Sequence, residues 1–226
     1  MARASISIPT NLQLFESNLL VKISAKEVGK KFVSEWIVRG VNLLLETGES
    51  YTLVGPNGSG KSTLLQLLMG NMPPSEGTIH YEMAGKELDI DDWYRQIVLA
   101  APYLELIEEF TLRETVVFHQ KFKPLKNGLS AADFEDFVQL SHARNKALRH
   151  YSSGMKQRVK LGLAFLSDVP VVLLDEPTSN LDAAGSKWYL DNVVKLTDNQ
   201  LVLLGSNQPQ EYEFCKNIIS VSAFKR

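Results

Sequence analysis

Gly55-Pro56-Asn57-Gly58-Ser59-Gly60-Lys61-Ser62-Thr63 decides how this chain is read. An apolar run, Tyr51 to Val54, leads into it, and an amphipathic run, Leu64 to Met69, leads out. The stretch fills every position of the pattern G-x-x-x-x-G-K-[ST], in the strand-loop-helix setting that gives the pattern meaning. Gly55, Gly58 and Gly60 let the backbone turn tightly, so that its amide N–H groups approach phosphate oxygens. A helix starting near Lys61 would aim its positive end at the same anion. Lys61 supplies a point charge that reaches terminal phosphates, and Ser62 a hydroxyl for Mg²⁺. The stretch therefore predicts a bound nucleotide, and the rest of the chain must say what it is for.

Working outward, Leu20 to Val28 alternates as a strand, and Val41 to Leu45 reads as another. Thr47-Gly48-Glu49 turns into the strand that feeds the glycine-rich loop. Pro73-Pro74-Ser75-Glu76-Gly77 breaks the chain after the first helix. Thr78 to Tyr81 reads as a short strand, Gly85-Lys86 as a turn, and Ile97 to Ala101 as a buried strand ended by Pro102. Between Thr111 and Leu148 the pattern turns helical, with Ser130 a candidate N-cap, and this region is an expected insertion between strands. Ala183 to Leu196 reads as a helix, and Leu201 to Leu204 and Ile218 to Val221 as strands. The fold expected is α/β, with a P-loop core on a mostly parallel sheet, an antiparallel β part at the N-terminal side and an inserted helical subdomain at about 103–160. Residues 20–226 are expected to form one domain, and 1–19 a loosely ordered extension without the apolar core of a secretory signal.

Composition narrows the classes. The chain of 226 residues suits one domain, and a hydrophobic content of 44% is ordinary for a soluble fold. A formal net charge of −2 gives no sign of a general nucleic-acid surface, so no nucleic-acid partner is expected. The single Cys215 excludes a disulfide within these residues and a cysteine metal cluster. No apolar run approaches the roughly 20 residues that span a bilayer, so any membrane role would come through a partner.

Two further stretches carry chemistry. Val171-Val172-Leu173-Leu174 is a fully apolar strand with Asp175 and Glu176 at its C-terminal end, where open α/β sheets bind ligands. Asp175 can hold Mg²⁺ opposite Ser62, and Glu176 can polarise an attacking water as a general base. Tyr151-Ser152-Ser153-Gly154-Met155-Lys156-Gln157-Arg158 opens a helix with small residues, which suits either a simple cap or an anion site.

In order and spacing, these motifs resemble the nucleotide-binding domain of the ATP-binding cassette (ABC) ATPases, from about Val21 to the C-terminus. Gly55 to Ser62 matches the Walker A loop, Tyr151 to Met155 the signature (usually Leu-Ser-Gly-Gly-Gln), Val171 to Pro177 the Walker B motif, and Ser179 to Asp182 the D-loop. The form Tyr-Ser-Ser-Gly-Met-Lys-Gln-Arg resembles solitary ATPase subunits of bacterial export-type systems. Phe32 falls where the family places an adenine-stacking aromatic. The resemblance implies ATP and Mg²⁺ as cofactors, and two cassettes (a homodimer or a heterodimer) facing head to tail. Ser152, Ser153 and Gly154 of one would then complete the ATP site of the other, with Asp182 nearby. It further implies a separate transmembrane subunit, and a location at the inner face of the cell membrane. A soluble ABC ATPase of an assembly system and a binding-dominant regulatory cassette are the alternatives.

Two positions depart from the family. Asn207 stands where a histidine usually contacts the γ-phosphate, and it can donate a hydrogen bond but cannot carry a charge or move a proton. After Ile97 to Ala101 no glutamine follows, with Glu105 or Glu108 as possible replacements. Slow turnover is the expectation. His80, His119, His142 and His150 show no ligand spacing, and Trp36, Trp93 and Trp188 read as core or interface residues.

Overall fold

The computed structural model describes residues 20–196 and 200–224, so the expectation for 1–19 lies outside the described residues. Chain order begins with β1 (Val21–Phe32), β2 (Glu35–Glu46), β3 (Ser50–Val54) and helix α1 (Lys61–Met69). Next come β4 (Glu76–Met83), β5 (Lys86–Leu88), α2 (Ile90–Arg95) and β6 (Ile97–Ala100). Helices α3 (Leu112–Gln120), α4 (Ala131–Phe137) and α5 (Ser153–Leu166) precede β7 (Val171–Asp175). The chain then runs through α6 (Ala183–Val193), β8 (Leu201–Gly205), α7 (Pro209–Tyr212) and β9 (Asn217–Ser220).

Five strands form one sheet in the order β6-β7-β8-β3-β9, and every neighbouring pair is parallel. Four form an antiparallel sheet in the order β2-β1-β4-β5. The strand period of two splits the parallel sheet's side chains between two cores. Val171, Leu173, Leu201, Leu203 and Leu53 share one apolar cluster with Leu64, Leu65, Leu67 and Leu68 of α1 and with the antiparallel sheet. Val172, Leu174, Val202 and Leu204 share the other with Phe134, Val159, Leu161, Trp188 and Tyr189 of the helical side. Burial on both faces explains why β7 and β8 are apolar without alternation.

Helix ends follow their capping chemistry. Thr111 and Ser130 each form a reciprocal capping box, with Glu114 and Asp133 respectively. The antiparallel strands run longer than the sequence suggests. β1 and β2 have 12 residues each, and irregular register near Val28 and Lys30 carries β1 past Gly29. The short polar helices α2 and α7 have too few turns to show a 3.6-residue period.

Register places the carboxyl ends of the central strands side by side. Asp175 pairs with Gly205, Gly205 with Leu53, and Leu174 with Ala100. The loop after β3, the carboxylates ending β7 and the loops after β8 and β6 therefore meet at one edge.

Candidate functional site

The loop between β3 and α1 bends through positive φ at Gly55 (153°), Gly58 (74°) and Gly60 (105°). Gly60 shows why a side chain is excluded. It is the left-handed N-cap of α1, and a Cβ there would lie 2.9 Å from Val38 Cγ1 and 3.0 Å from Ile37 Cγ2. The Leu64 N–H bonds Gly60 O, and the Ser59 N–H bonds Pro56 O. Lys61 is buried to 5% exposure and folds back across the loop, its Nζ donating to Gly55 O at 2.8 Å. A cavity of about 260 Å³ opens here, lined by Asn57, Gly58, Gly60, Lys61, Ser62 and Thr63 of the loop, with Glu176 and Ile37 at its walls.

Asp175 stands at the end of β7, 1% exposed, and neither carboxylate oxygen has a hydrogen-bond partner. Burial raises its pKa above the usual carboxylate range. The Ser62 and Tyr103 hydroxyls and the Lys61 ammonium pull the other way, while the Glu176 charge adds to the rise. A buried carboxylate without a hydrogen-bond partner, with a serine hydroxyl nearby, has the chemistry to take a divalent cation. Ser59 Oγ is likewise buried without a partner. The donor set therefore fits a phosphate chain with a divalent cation: N–H groups at a helix N-terminus, a lysine, a serine and an unpaired aspartate. Glu176, exposed and at φ 42°, follows Asp175 at the cavity wall, with its N–H held by Gly205 O at 2.9 Å.

Other residues singled out in the sequence lie outside that cavity. Phe32 ends β1 with 48% exposure, and Lys30 Nζ lies 5.6 Å from its ring centroid. Ser152 caps α5, accepting the Met155 N–H, and Ser153 begins that helix. Gly154 has a local reason to lack a side chain, because a Cβ would lie 2.7 Å from Asn180 O. Asp182 caps α6 by accepting the Gly185 N–H at 2.7 Å, and Arg158 stands 3.8 Å away. Asn207, just after β8, reaches the loop directly, its Nδ2 donating to Asn57 Oδ1 at 2.8 Å.

Of the residues in the loop after β6, Tyr103 is the one that bears on Asp175. Glu108 pairs with Lys156 on α5. Tyr103 comes near Asp175 instead, and also near Gln66, which lies one turn past Ser62 on α1. Lys160 of α5 fixes this loop by donating to Ala101 O and Pro102 O. Tyr103 and Ile37 were missed by the sequence reading. A hydroxyl two residues past a buried strand's carboxyl end was the available signal for Tyr103, whereas Ile37 reaches the cavity only through the fold.

Comparison with known proteins places this architecture. The family model described as ABC transporter matches residues 38–179. The linearmycin resistance ATP-binding protein LnrL of Bacillus subtilis is 28% identical over 205 residues, which is 88% of this chain and 65% of that protein. The Nod factor export ATP-binding protein I of Burkholderia lata is 32% identical over 165 residues, covering 71% of this chain and 54% of that protein. The chain thus spans between half and two thirds of the length of these two relatives. Among solved structures, the ATP-binding cassette MJ0796, dimeric in a post-hydrolysis state with ADP and Pi, superposes with a TM-score of 0.75 at 26% identity. The match covers 88% of this chain and 93% of that one. With its phosphate loop, paired carboxylates and two-sheet core in that arrangement, the chain belongs to the ABC transporter family as an ATP-binding cassette.

Proposed function

We propose that this chain is the ATP-hydrolysing subunit of a membrane transporter, and that two such cassettes close head to tail around ATP. The observation that carries the reading is the buried, unpartnered Asp175 beside Ser62, at a lysine-bearing loop whose cavity Glu176 also lines. The backbone amides of 55–63 and Lys61 hold the phosphates, and Ser62 with Asp175 holds the cation. Bound Mg²⁺–ATP supplies the phosphoanhydride bond whose cleavage drives the cycle. Glu176 orients water and takes its proton. Asn207 donates a hydrogen bond toward the terminal phosphate, and Phe32 packs on the adenine.

Ser152, Ser153 and Gly154 lie outside their own chain's cavity, at the exposed start of α5, which suits donation to a second cassette. Asp182 sits beside that interface. Residues 20–226 act as one domain, with the helical part at about 103–160. In this reading the transport path runs through a separate transmembrane subunit, and the cassette docks on it at the inner face of the membrane; no described helix is itself long and apolar enough to cross a membrane.

Glu176→Gln in purified protein tests this reading. The variant is expected to bind ATP, to stop releasing phosphate and to accumulate as an ATP-dependent dimer in size-exclusion chromatography. A monomer that binds no ATP, with or without Mg²⁺, would overturn it. Asn207 favours a second reading, a slowly turning regulatory cassette paired with a faster one. A wild-type homodimer that binds ATP tightly and turns over far below one per second would support that reading.

A further inference from the structure

Glu211 lies in α7, 2% exposed, and none of the sequence motifs includes it. Its carboxylate gathers three donors from two loops. Oε1 accepts the Thr178 N–H at 3.1 Å and also the Thr178 hydroxyl, while Oε2 accepts the Ser206 hydroxyl. Thr178 is two residues past Glu176, and Ser206 is the residue before Asn207. The Ser206 N–H bonds Leu53 O at the end of β3, one residue before the strand's last residue, Val54. Ser206 Oγ also accepts the Gln208 N–H at 2.9 Å. The backbone oxygen of Glu211 is itself held, accepting the buried Tyr189 hydroxyl at 3.0 Å from α6.

We infer that Glu211 is a positioning residue, which locks the loop carrying Glu176 to the loop carrying Asn207 so that both face the phosphate-binding loop in one register. The inference rests on the ATPase reading above. A carboxylate presents two acceptor oxygens on one rigid plane, so a single side chain can take donors from both loops at once. A buried carboxylate held only by neutral donors is costly to keep unless all its lone pairs are used. Here both oxygens are used, and each bond ends on a residue next to, or two away from, a residue that faces the phosphates. A glutamine at this place offers one acceptor and one donor. If its oxygen faces Thr178, its NH₂ meets Ser206 Oγ, and the serine proton loses its buried acceptor. The two loops then no longer share one anchor.

The test is Glu211→Gln in the full chain, read by steady-state phosphate release, equilibrium ATP binding and amide hydrogen exchange. The expected result is a fall in kcat of about tenfold to a hundredfold, as for a misplacement of catalytic groups near 1 Å. ATP affinity stays within about twofold, because the loop of residues 55–63 makes no bond to Glu211. Amides of 177–180 and 206–210 exchange faster together, while those of 55–63 keep their protection. Exchange that rises in one loop alone, or an unchanged kcat, overturns the proposal, as does a matching loss of ATP affinity. If Glu211→Gln does not fold, Ser206→Ala removes the Oε2 bond alone and is read the same way, with smaller changes of the same pattern. If the wild type binds no ATP, the function reading fails, and the joint exchange of the two loops still decides the clamp.

Discussion

Asn207 Nδ2 donates to Asn57 Oδ1 at 2.8 Å, so the loop after β8 is tied by a side chain to the phosphate-binding loop of the same chain. Both side chains are exposed, and a neutral bond of this kind contributes about 0.5–1.5 kcal/mol at most. The amide supplies a donor at this edge of the site but no charge and no transferable proton. Asn207→His is therefore expected to raise turnover by roughly tenfold or more, since an imidazole adds the charge and transferable proton that the amide lacks, and positioned proton transfer typically contributes about 10²–10⁴ in rate. Phosphate release at saturating Mg²⁺ and ATP measures it. A wild type that is already fast and gains nothing from histidine would remove slow turnover as a property of this cassette.

Asp175 predicts a trade of stability against function. Its carboxylate is buried without a partner, and burial raises its pKa. Leaving such a group uncompensated costs about 1–3 kcal/mol. Asp175→Asn removes the charge at nearly constant volume, so the nucleotide-free protein should melt several degrees higher than wild type. The same variant should lose the gain in melting temperature that Mg²⁺ adds on top of ATP. Thermal melts with ATP alone and with ATP plus Mg²⁺ separate the two effects. A lower melting temperature in the free variant would mean that the carboxylate is compensated by groups other than a cation.

The strength of the local signals explains how much of this was legible beforehand. The β3–loop–α1 unit and the β7 carboxylates are contiguous in sequence, and their chemistry forces their residue types, so the cavity's floor could be read directly. The long antiparallel strands could not. Glu76-Gly77 reads as part of a breaker, yet both residues lie in β4, with Gly77 at φ 77° packed against the backbone of Glu27. Gly29 and Gly40 likewise sit inside β1 and β2 rather than ending them. In the site, whatever depends on non-adjacent loops stayed hidden: Ile37 at the cavity wall, Tyr103 near Asp175, and Glu211 between two loops. Asp182 and Ser152 show the reverse case, because their capping bonds are local structure that a functional motif also contains.

Tyr103 is expected to help set the cation requirement. Its hydroxyl is pushed up to about 12, chiefly by burial, and so stays protonated as a donor near Asp175. A donor there favours the ionised carboxylate that binds a cation. Tyr103→Phe should raise the Mg²⁺ concentration needed for half-maximal stabilisation of ATP binding by about twofold to fivefold, because the carboxylate loses the nearby hydroxyl dipole that favours its ionised form. ATP affinity measured without Mg²⁺ should not move. Titration calorimetry at several Mg²⁺ concentrations reads both, and an unchanged Mg²⁺ dependence would place Tyr103 outside the cation's surroundings.

His119 gives the fold a defined weakness toward acid. It lies in the last turn of α3, and its Nε2 is 2.8 Å from Ser167 Oγ. That hydroxyl donates its proton to Leu163 O, so the imidazole must be the donor between them. Burial lowers the His119 pKa to about 4, and the nearby Lys123 ammonium pushes it the same way. The unfolded chain, with an ordinary histidine near 6.5, takes up this proton first as pH falls. The sign follows: the contribution of neutral His119 is complete above about pH 6.5 and is lost progressively toward pH 4, up to about 3 kcal/mol in total. His119→Gln keeps a donor for Ser167 and does not titrate. Wild type should therefore lose more stability than this variant between pH 7 and pH 4.5, with curves that converge toward acid. Urea unfolding at intermediate pH values measures the difference, in which the carboxylates common to both proteins cancel. Parallel curves would show that this imidazole titrates alike in the folded and unfolded chain.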